Sequence, residues 1–362
     1  MNRLVALDEP GGPGFVDGLR RIWDAGDAAL PVDRRLPPPA RRELLAAMRV
    51  GEEVGDGDAL VVATSGSTGR PKGVVLTHDA IAASADATSR RLGVGPDDRW
   101  LACLPLSHVG GLSVVTRALR TGTALTVHDG FDAERVRSSG ATLVSLVATA
   151  LRRIDPTAFR VIVLGGSRPP ADRPANSVTT YGMTETGSGV VYDGVPLDGV
   201  EVDLDEPAAG AVDGEILLRG PMLLRCYRDG SDPRRPDGWF PTGDLGRWLD
   251  DGRLHVTGRR GDLIVSGGEN VWPEAVEAAL ADHPDVAEVM VRGVDDAEWG
   301  QLVEAVVVPR GPEAPTLESL RAHVKERHPA FLAPRRLVLA DALPRTALGK
   351  PRRHADPGRD GV

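Results

Sequence analysis

From residue 60 onward the chain alternates short apolar runs with longer stretches of helical pattern: LVVA at 60, an Ala-rich stretch at 80, LACLPL at 101, ALTV at 124, LVSLV at 143 and VIVL at 161. Such runs are strand-length, and the chain between them is long enough for a crossover helix. The alternation therefore predicts βα units around a mainly parallel sheet, an α/β fold. Upstream, LPVDRRLPPPA at 30–40 reads as a surface connection entering a helix over 41–50, where Leu44, Leu45 and Met48 have helical spacing. After Gly199 the texture changes to shorter, polar-punctuated strands (VEVDL, GEILLRG, GRLHVTG) joined by Gly and Asp turns. This predicts an additional, more antiparallel β subdomain. A boundary near Gly258 separates residues 1–257 from a small α+β domain, 258–362, with a strand at DLIVS, a helix over 272–280, strands at 286–292 and 303–308, and a helix over 316–327. No internal repeat is present.

Composition excludes several classes of function. A chain of 362 residues with 41% hydrophobic content can bury a sizeable core. The net charge of -9, with no basic run interleaved with aromatics, argues against nucleic acid as a partner. Residues 1–16 lack an apolar core and no stretch of eighteen apolar residues occurs, so neither export nor membrane insertion is expected, and the location expected is cytoplasmic. Cys103 and Cys226 lie far apart and in no CxxC or Cys/His cluster, so each is expected to be a small buried side chain. Of 43 basic residues only Lys72, Lys325 and Lys350 are lysine. Coding bias explains the arginines, but the retained lysines mark places where a compact, mobile ammonium is needed instead of a planar fork.

Two of the three lysines fall in motifs. Residues 61–73 read VVATSGSTGRPKG: an apolar strand running into a loop with glycines, the hydroxyls of Thr64, Ser65, Ser67 and Thr68, and Lys72. Gly66 and Gly69 let backbone N–H groups approach an anion, the hydroxyls donate, and the ammonium neutralises charge, which suits a polyphosphate. A solvated turn would explain a lone GxxG, but not this coincidence. The loop is not a Walker loop, because Gly73 and not Ser or Thr follows Lys72. At 181–187, YGMTETG groups Tyr181, able to stack on a purine, with Thr184, able to donate to a phosphate, and Glu185, a hard oxygen ligand for magnesium. A carboxylate beside a triphosphate is repulsive unless a divalent cation lies between them. VLGGS at 163–167 puts Gly165, Gly166 and Ser167 after a strand, where backbone can approach a flat ligand closely. Asp244 in FPTGDLGRW suits two vicinal ribose hydroxyls, and Arg259 in VTGRRGD can hold the same sugar; either could equally be a turn residue or a surface ion pair. His108 in LPLSHVGGL would by itself be read as a helix cap, and Lys350 in LPRTALGKPRR as part of a solvated tail.

In order and in content these motifs resemble the adenylate-forming superfamily of acyl-CoA synthetases, adenylation domains and luciferases, over about residues 45–353. The resemblance implies a two-step acid-thiol ligase, in which a carboxylic acid is activated by ATP and magnesium and then transferred to coenzyme A. It implies that the loop with Lys72 holds the outer phosphates and that Gly165, Gly166, Ser167, Tyr181, Gly182 and Met183 lie beside the adenosine. Thr184 and Glu185 would serve phosphate and metal, and Asp244 and Arg259 the ribose. His108 is implied at the acyl pocket, with Thr149 a weaker match. The position of Gly261 would be the hinge of the small domain, which departs from the family's usual Asp or Lys; glycine preserves hinging. Gly267 and Gly268 would open the way for the thioester step, and Lys350 would join the α-phosphate and the carboxylate during adenylation. Residues 181–199, SGGENVWP at 266–273 and a short N-terminal half are most similar to the o-succinylbenzoate:CoA ligases of menaquinone biosynthesis within that superfamily. Such an acid carries a second carboxylate, and His108, Ser188 and Tyr192 stay open as its anchor. A ligase for another aryl or short-chain acid, a stand-alone adenylation domain serving a carrier protein, and a silent nucleotide-binding regulatory protein remain alternatives. Homo-oligomerisation is left open.

Overall fold

The computed structural model of the chain describes residues 2–65, 71–166, 170, 172–207, 212–345 and 352–353. From the N-terminus, β1 (Leu4–Leu7), α1 (Pro13–Asp24), β2 (Ala28–Pro31), α2 (Pro38–Ala47), β3 (Asp58–Ser65) and β4 (Pro71–Thr77) lead into α3 (His78–Leu92). Then follow β5 (Arg99–Ala102), α4 (Val109–Thr121), β6 (Ala124–Val127), α5 (Ala133–Arg137), β7 (Leu143–Leu146), α6 (Ala148–Leu151), β8 (Val161–Leu164) and β9 (Ser177–Gly182). Shorter strands come next: β10 (Gly189–Tyr192), β11 (Val195–Pro196), β12 (Glu201–Leu204), β13 (Gly214–Arg219), β14 (Cys226–Tyr227), β15 (Phe240–Trp248) and β16 (Leu254–Arg259). The last part comprises β17 (Ile264–Ser266), β18 (Glu269–Val271), α7 (Pro273–Leu280), β19 (Val286–Asp296), β20 (Gly300–Pro309), α8 (Leu317–Lys325) and β21 (Arg336–Leu339).

The apolar runs at 101, 124, 143 and 161 are β5, β6, β7 and β8 of a seven-stranded sheet of order β11-β10-β9-β8-β7-β5-β6, whereas the run at 60 is β3, which leaves the expected βα course and pairs with β4 in another sheet because only a short connection separates them. In the seven-stranded sheet the strands from β6 to β9 are parallel, β10 runs antiparallel to β9, and β11 pairs antiparallel with β10. All of β7 is buried, as a strand covered on both faces requires. A second sheet, β1-β2-β3-β4-β14, has β3 and β4 as an antiparallel pair. Its N-terminal strands gave little periodic signal, yet Leu4, Leu7 and Phe15 are buried. A strand of four residues is too short to declare itself by alternation.

The chain divides into two compact units: Met1–Leu204 with Leu217–Thr242 and Trp248–His255, and Asp205–Ile216 with Gly243–Arg247 and Val256–Val362. Strands β12, β13, β15 and β16 form a four-stranded sheet in that order. The second unit carries its own five-stranded sheet, β18-β17-β20-β19 with β21 beside β20. Its core joins Val276 and Leu280 of α7, Leu320 and Val324 of α8, and Val291, Val303 and Val307 of the long hairpin. Cys103 is buried, but Cys226 is only half-buried, because β14 lies at a sheet edge. Among the described residues no helix is long and apolar enough to cross a membrane.

Candidate functional site

In a parallel sheet every strand delivers its chain to the same edge, and ligands collect beyond the carboxyl ends. Strands β5, β7, β8 and β9 are neighbours in the first unit. His108 follows β5, Thr149 follows β7, Gly165 and Gly166 follow β8, and Tyr181 and Gly182 close β9 ahead of Thr184 and Glu185. The topology thus brings these sequence-predicted residues to one sheet edge. His108 is the N-cap of α4, but its side chain does not bond to the helix N–H groups; its Nε2 lies 3.3 Å from Ser107 Oγ. The capping position is real, while the imidazole is used elsewhere. Thr149 is exposed in the first turn of α6. Gly165 is needed for packing, since a Cβ there would lie 2.8 Å from Thr180 Oγ1, and Gly166 has φ 82°.

The YGMTETG segment is shaped by a residue that motif reading passed over. Thr186, fully buried, has its hydroxyl 2.7 Å from Ser188 O and 2.9 Å from Met183 O, to one of which its single O–H donates, and accepts from Met183 N–H at 2.9 Å. This peg holds Thr184 and Glu185 in a tight 3-10 turn. Glu185 is gripped twice, its backbone carbonyl accepting from Leu224 N–H at 2.7 Å and its carboxylate from the Tyr227 hydroxyl at 3.0 Å.

The phosphate motif is a β-hairpin, with Thr64 opposite Lys72 and Ser65 opposite Pro71. Gly66, Ser67, Thr68 and Gly69 lie outside the described residues, as do Ser167 and Lys350. Lys72 continues into β4, and its Nζ stands 4.9 Å from the centre of the Tyr227 ring. Gly73 has a steric reason: a Cβ there would come within 2.6 Å of Met48 Sδ and 2.9 Å of Val61 Cγ1.

Arg117 escaped sequence reading altogether. It lies on the inner side of α4 at 2% exposure, its guanidinium 4.8 Å from the Trp100 ring centre. Nη2 donates to Ser188 Oγ at 3.1 Å, while Nε and Nη1 are buried without hydrogen-bond partners. Burial pushes its pKa down, opposed by nearby Tyr192. No carboxylate among the described residues pairs with it. A cation left this way is costly unless an anion arrives. Arg117 borders a small cavity with Ile81, Ser84, Leu112, Ser113 and Thr116. Ser188 is therefore part of this cationic corner. Tyr192, near enough to oppose the fall in the Arg117 pKa, is fully buried with its hydroxyl 3.3 Å from Thr88 Oγ1.

In the second unit Asp244 and Arg259 pair with each other at 3.4 Å, Asp244 16% and Arg259 64% exposed. Gly261, in a 3-10 turn after β16, is exposed with open space around it. Gly267 and Gly268 form the two-residue turn between β17 and β18 at φ 61° and 83°, as a primed hairpin turn demands. A Cβ on Gly267 would also strike the Trp299 ring at 2.6 Å. Both glycines thus have structural grounds as well as an implied role. Arg353, near the C-terminal lysine motif, donates to Glu274 at 2.8 Å and Glu277 at 2.9 Å. Burial pushes the Glu277 carboxyl up, with Arg353 opposing.

No group of three or more His, Cys, Asp or Glu able to hold a metal occurs among the described residues. The single carboxylate of Glu185 fits a magnesium ion that takes most of its oxygens from nucleotide phosphates and water and needs no protein cage.

The family model described as AMP-binding enzyme matches residues 38–228, and that described as AMP-binding enzyme C-terminal domain matches 275–350. A probable 2-succinylbenzoate–CoA ligase of Mycobacterium tuberculosis is 41% identical over 381 residues, covering 96% of each chain. A 2-succinylbenzoate–CoA ligase of Bacillus licheniformis is 36% identical, covering 83% of this chain and 70% of its own. Among solved structures, o-succinylbenzoate CoA synthetase from Bacillus subtilis in complex with the acyl-adenylate intermediate OSB-AMP superposes with a TM-score of 0.87 at 28% identity, covering 97% of this chain and 87% of that one.

Proposed function

The chain belongs to the AMP-binding enzyme family, and on that premise we propose that it is an ATP-dependent o-succinylbenzoate:CoA ligase. Its acid would be converted to an acyl-adenylate and then to the CoA thioester. The observation that carries the choice of acid is Arg117, a buried guanidinium with two unpartnered nitrogens, Nε and Nη1, beside a cavity. One carboxylate of the substrate must reach ATP, so a second, internal cation is of use only to an acid with a second carboxylate. An anion there regains charge-assisted hydrogen bonds, each worth about 1.5–3 kcal/mol. Ser188, already held by Arg117, is placed to share that anion.

The chemistry asked of the residues is modest. Acid and triphosphate repel, so the first step needs cations and a fixed line of attack of carboxylate oxygen on the α-phosphorus, with pyrophosphate leaving. Lys72 supplies positive charge to the outer phosphates, Thr184 a donor, and Glu185 an oxygen for magnesium; magnesium, when bound, neutralises the triphosphate. His108 lies at the carboxylate to be activated, and Thr149 borders the acyl pocket. Gly165, Gly166, Ser167, Tyr181, Gly182 and Met183 accept the adenosine, and Asp244 and Arg259 exchange their mutual pair for the ribose. Lys350 serves the first half-reaction. In the second, a thiol displaces AMP, with Gly267 and Gly268 beside the arm of coenzyme A. We read 258–362 as the domain that moves between the two steps about Gly261. With ATP and CoA as substrates, the enzyme is cytoplasmic.

The deciding experiment is pyrophosphate release with o-succinylbenzoate, ATP, magnesium and CoA, set beside benzoate and fatty acids. Turnover restricted to the dicarboxylate is expected; equal turnover of benzoate would discard the proposed acid while leaving the ligase class standing. Exchange of pyrophosphate into ATP with no acid at all would discard both.

A further inference from the structure

Lys72 and Glu185 carry opposite charges near one another, yet they make no ion pair among the described residues; each faces Tyr227 instead. We propose that Tyr227 is a positioning residue of the nucleotide site: its ring keeps the Lys72 ammonium, and its hydroxyl the Glu185 carboxylate, from closing on each other before ATP and magnesium arrive. This rests on the nucleotide assignment above.

The fold explains how one side chain reaches both. In the antiparallel pairing of β14 with β4, Tyr227 stands opposite Val74. Lys72, two residues along β4, is therefore its diagonal neighbour on the same face. From the other side, the turn holding Glu185 is tied to the segment entering β14 through Leu224 N–H. The backbone around Tyr227 is fixed independently of its side chain: Arg225 N–H donates to Val75 O at 2.9 Å, Arg228 N–H to Gly73 O at 2.7 Å, and Tyr227 N–H to Ser231 O at 2.8 Å.

A direct Lys72–Glu185 pair would satisfy both groups and leave neither for the ligand. The π face attracts an ammonium without neutralising it. A phenolic O–H occupies one lone pair of a carboxylate whose two oxygens offer about four, so capacity for a metal remains. The ring and the hydroxyl thus have separable duties. Lys72 is tuned for phosphate by the ring, and Glu185 for metal by the hydroxyl.

The test measures ATP binding by calorimetry across a magnesium series for wild type, Tyr227→Phe and Tyr227→Leu, with thermal melts alongside. Tyr227→Phe should raise the magnesium concentration for half-maximal ATP binding by about tenfold, the lower end for removing a group that orients a metal ligand, with ATP affinity at saturating magnesium unchanged. Tyr227→Leu should in addition weaken ATP binding at saturating magnesium by about threefold to tenfold, the loss of one cation–π contact. A wild-type magnesium midpoint in Tyr227→Phe, or identical behaviour of the two variants, overturns the proposal. So does a loss that merely tracks a lowered melting temperature. If wild type itself fails to bind ATP with magnesium, the nucleotide assignment falls, and this inference with it.

Discussion

At the scale of single residues, the least visible side chain in the sequence is the one on which the proposed choice of acid rests. Arg117 is one arginine in a chain that uses arginine almost everywhere. Only the packing of α4 shows that it is buried against Trp100, with Nε and Nη1 unpaired. A buried cation lacking its anion burdens the unliganded fold, and replacing such a group by an apolar one of similar volume is often neutral or stabilising. Arg117→Met should therefore leave the melting temperature equal or higher while raising KM for a dicarboxylate by about 10- to 100-fold, the value of one charge-assisted contact or two. Monocarboxylate turnover should hardly move. Steady-state kinetics on both acids, beside a thermal melt, checks the two halves together. The phosphate loop, the YGMTETG residues and Asp244 announced themselves because each is a local combination of glycine, hydroxyl and charge. Arg117 and Tyr227 did not, because their partners are distant in sequence: Tyr227 meets Glu185 across 42 positions and Arg117 meets Ser188 across 71.

At the scale of elements, α4 carries His108 at its N-cap and Arg117 on its inner side, so its seating sets both. Gly111 is what permits that seating. A Cβ there would lie 2.4 Å from Leu104 O and 2.6 Å from Pro105 O, backbone atoms that cannot swing away. Gly111→Ala should shift the helix outward, cost about 1–3 kcal/mol as overpacking does, and weaken binding of the acid more than that of ATP; denaturant melts and separate titrations would detect each. Ahead of β5, Asp98 ties loops together by accepting from Gly95 N–H, Thr142 Oγ1 and both Nε and Nη2 of Arg160. Burial would raise its pKa, but the hydrogen bonds from Arg160, Gly95 and Thr142 outweigh it and hold the carboxyl at about 2, against 3.8 for an ordinary aspartate. A depressed folded-state pKa contributes stability that is fully present above about 4 and lost as pH falls from there through about 2. Asp98→Asn should lower stability at neutral pH and flatten the acid limb in that window. An unchanged slope between pH 4 and 2 would count against this account.

For the whole molecule, the expected half-reactions separate the duties of the two units. Lys350→Ala should stop acid-dependent pyrophosphate release, while thioester formation from a supplied acyl-adenylate continues near the wild-type rate. Wild-type pyrophosphate release by that variant would end the assignment of Lys350. Sequence alone determined the α/β class, the βα course from the run at 101 onward, the α+β end of the chain and the nucleotide motifs, because periodicity and turn chemistry are local and survive in one dimension. Local signals could not reveal that the N-terminal short strands enter a sheet, that Tyr192 is fully buried, or that Asp244 and Arg259 face each other. Nor could they reveal the two side chains that sharpen the site. The anion-binding role proposed for Arg117 depends on α4 turning it inward, and the spacer role proposed for Tyr227 on the pairing of β14 with β4. Burial and cross-strand register are properties of packing, and they assign a chemical task to residues whose identity in sequence is ordinary.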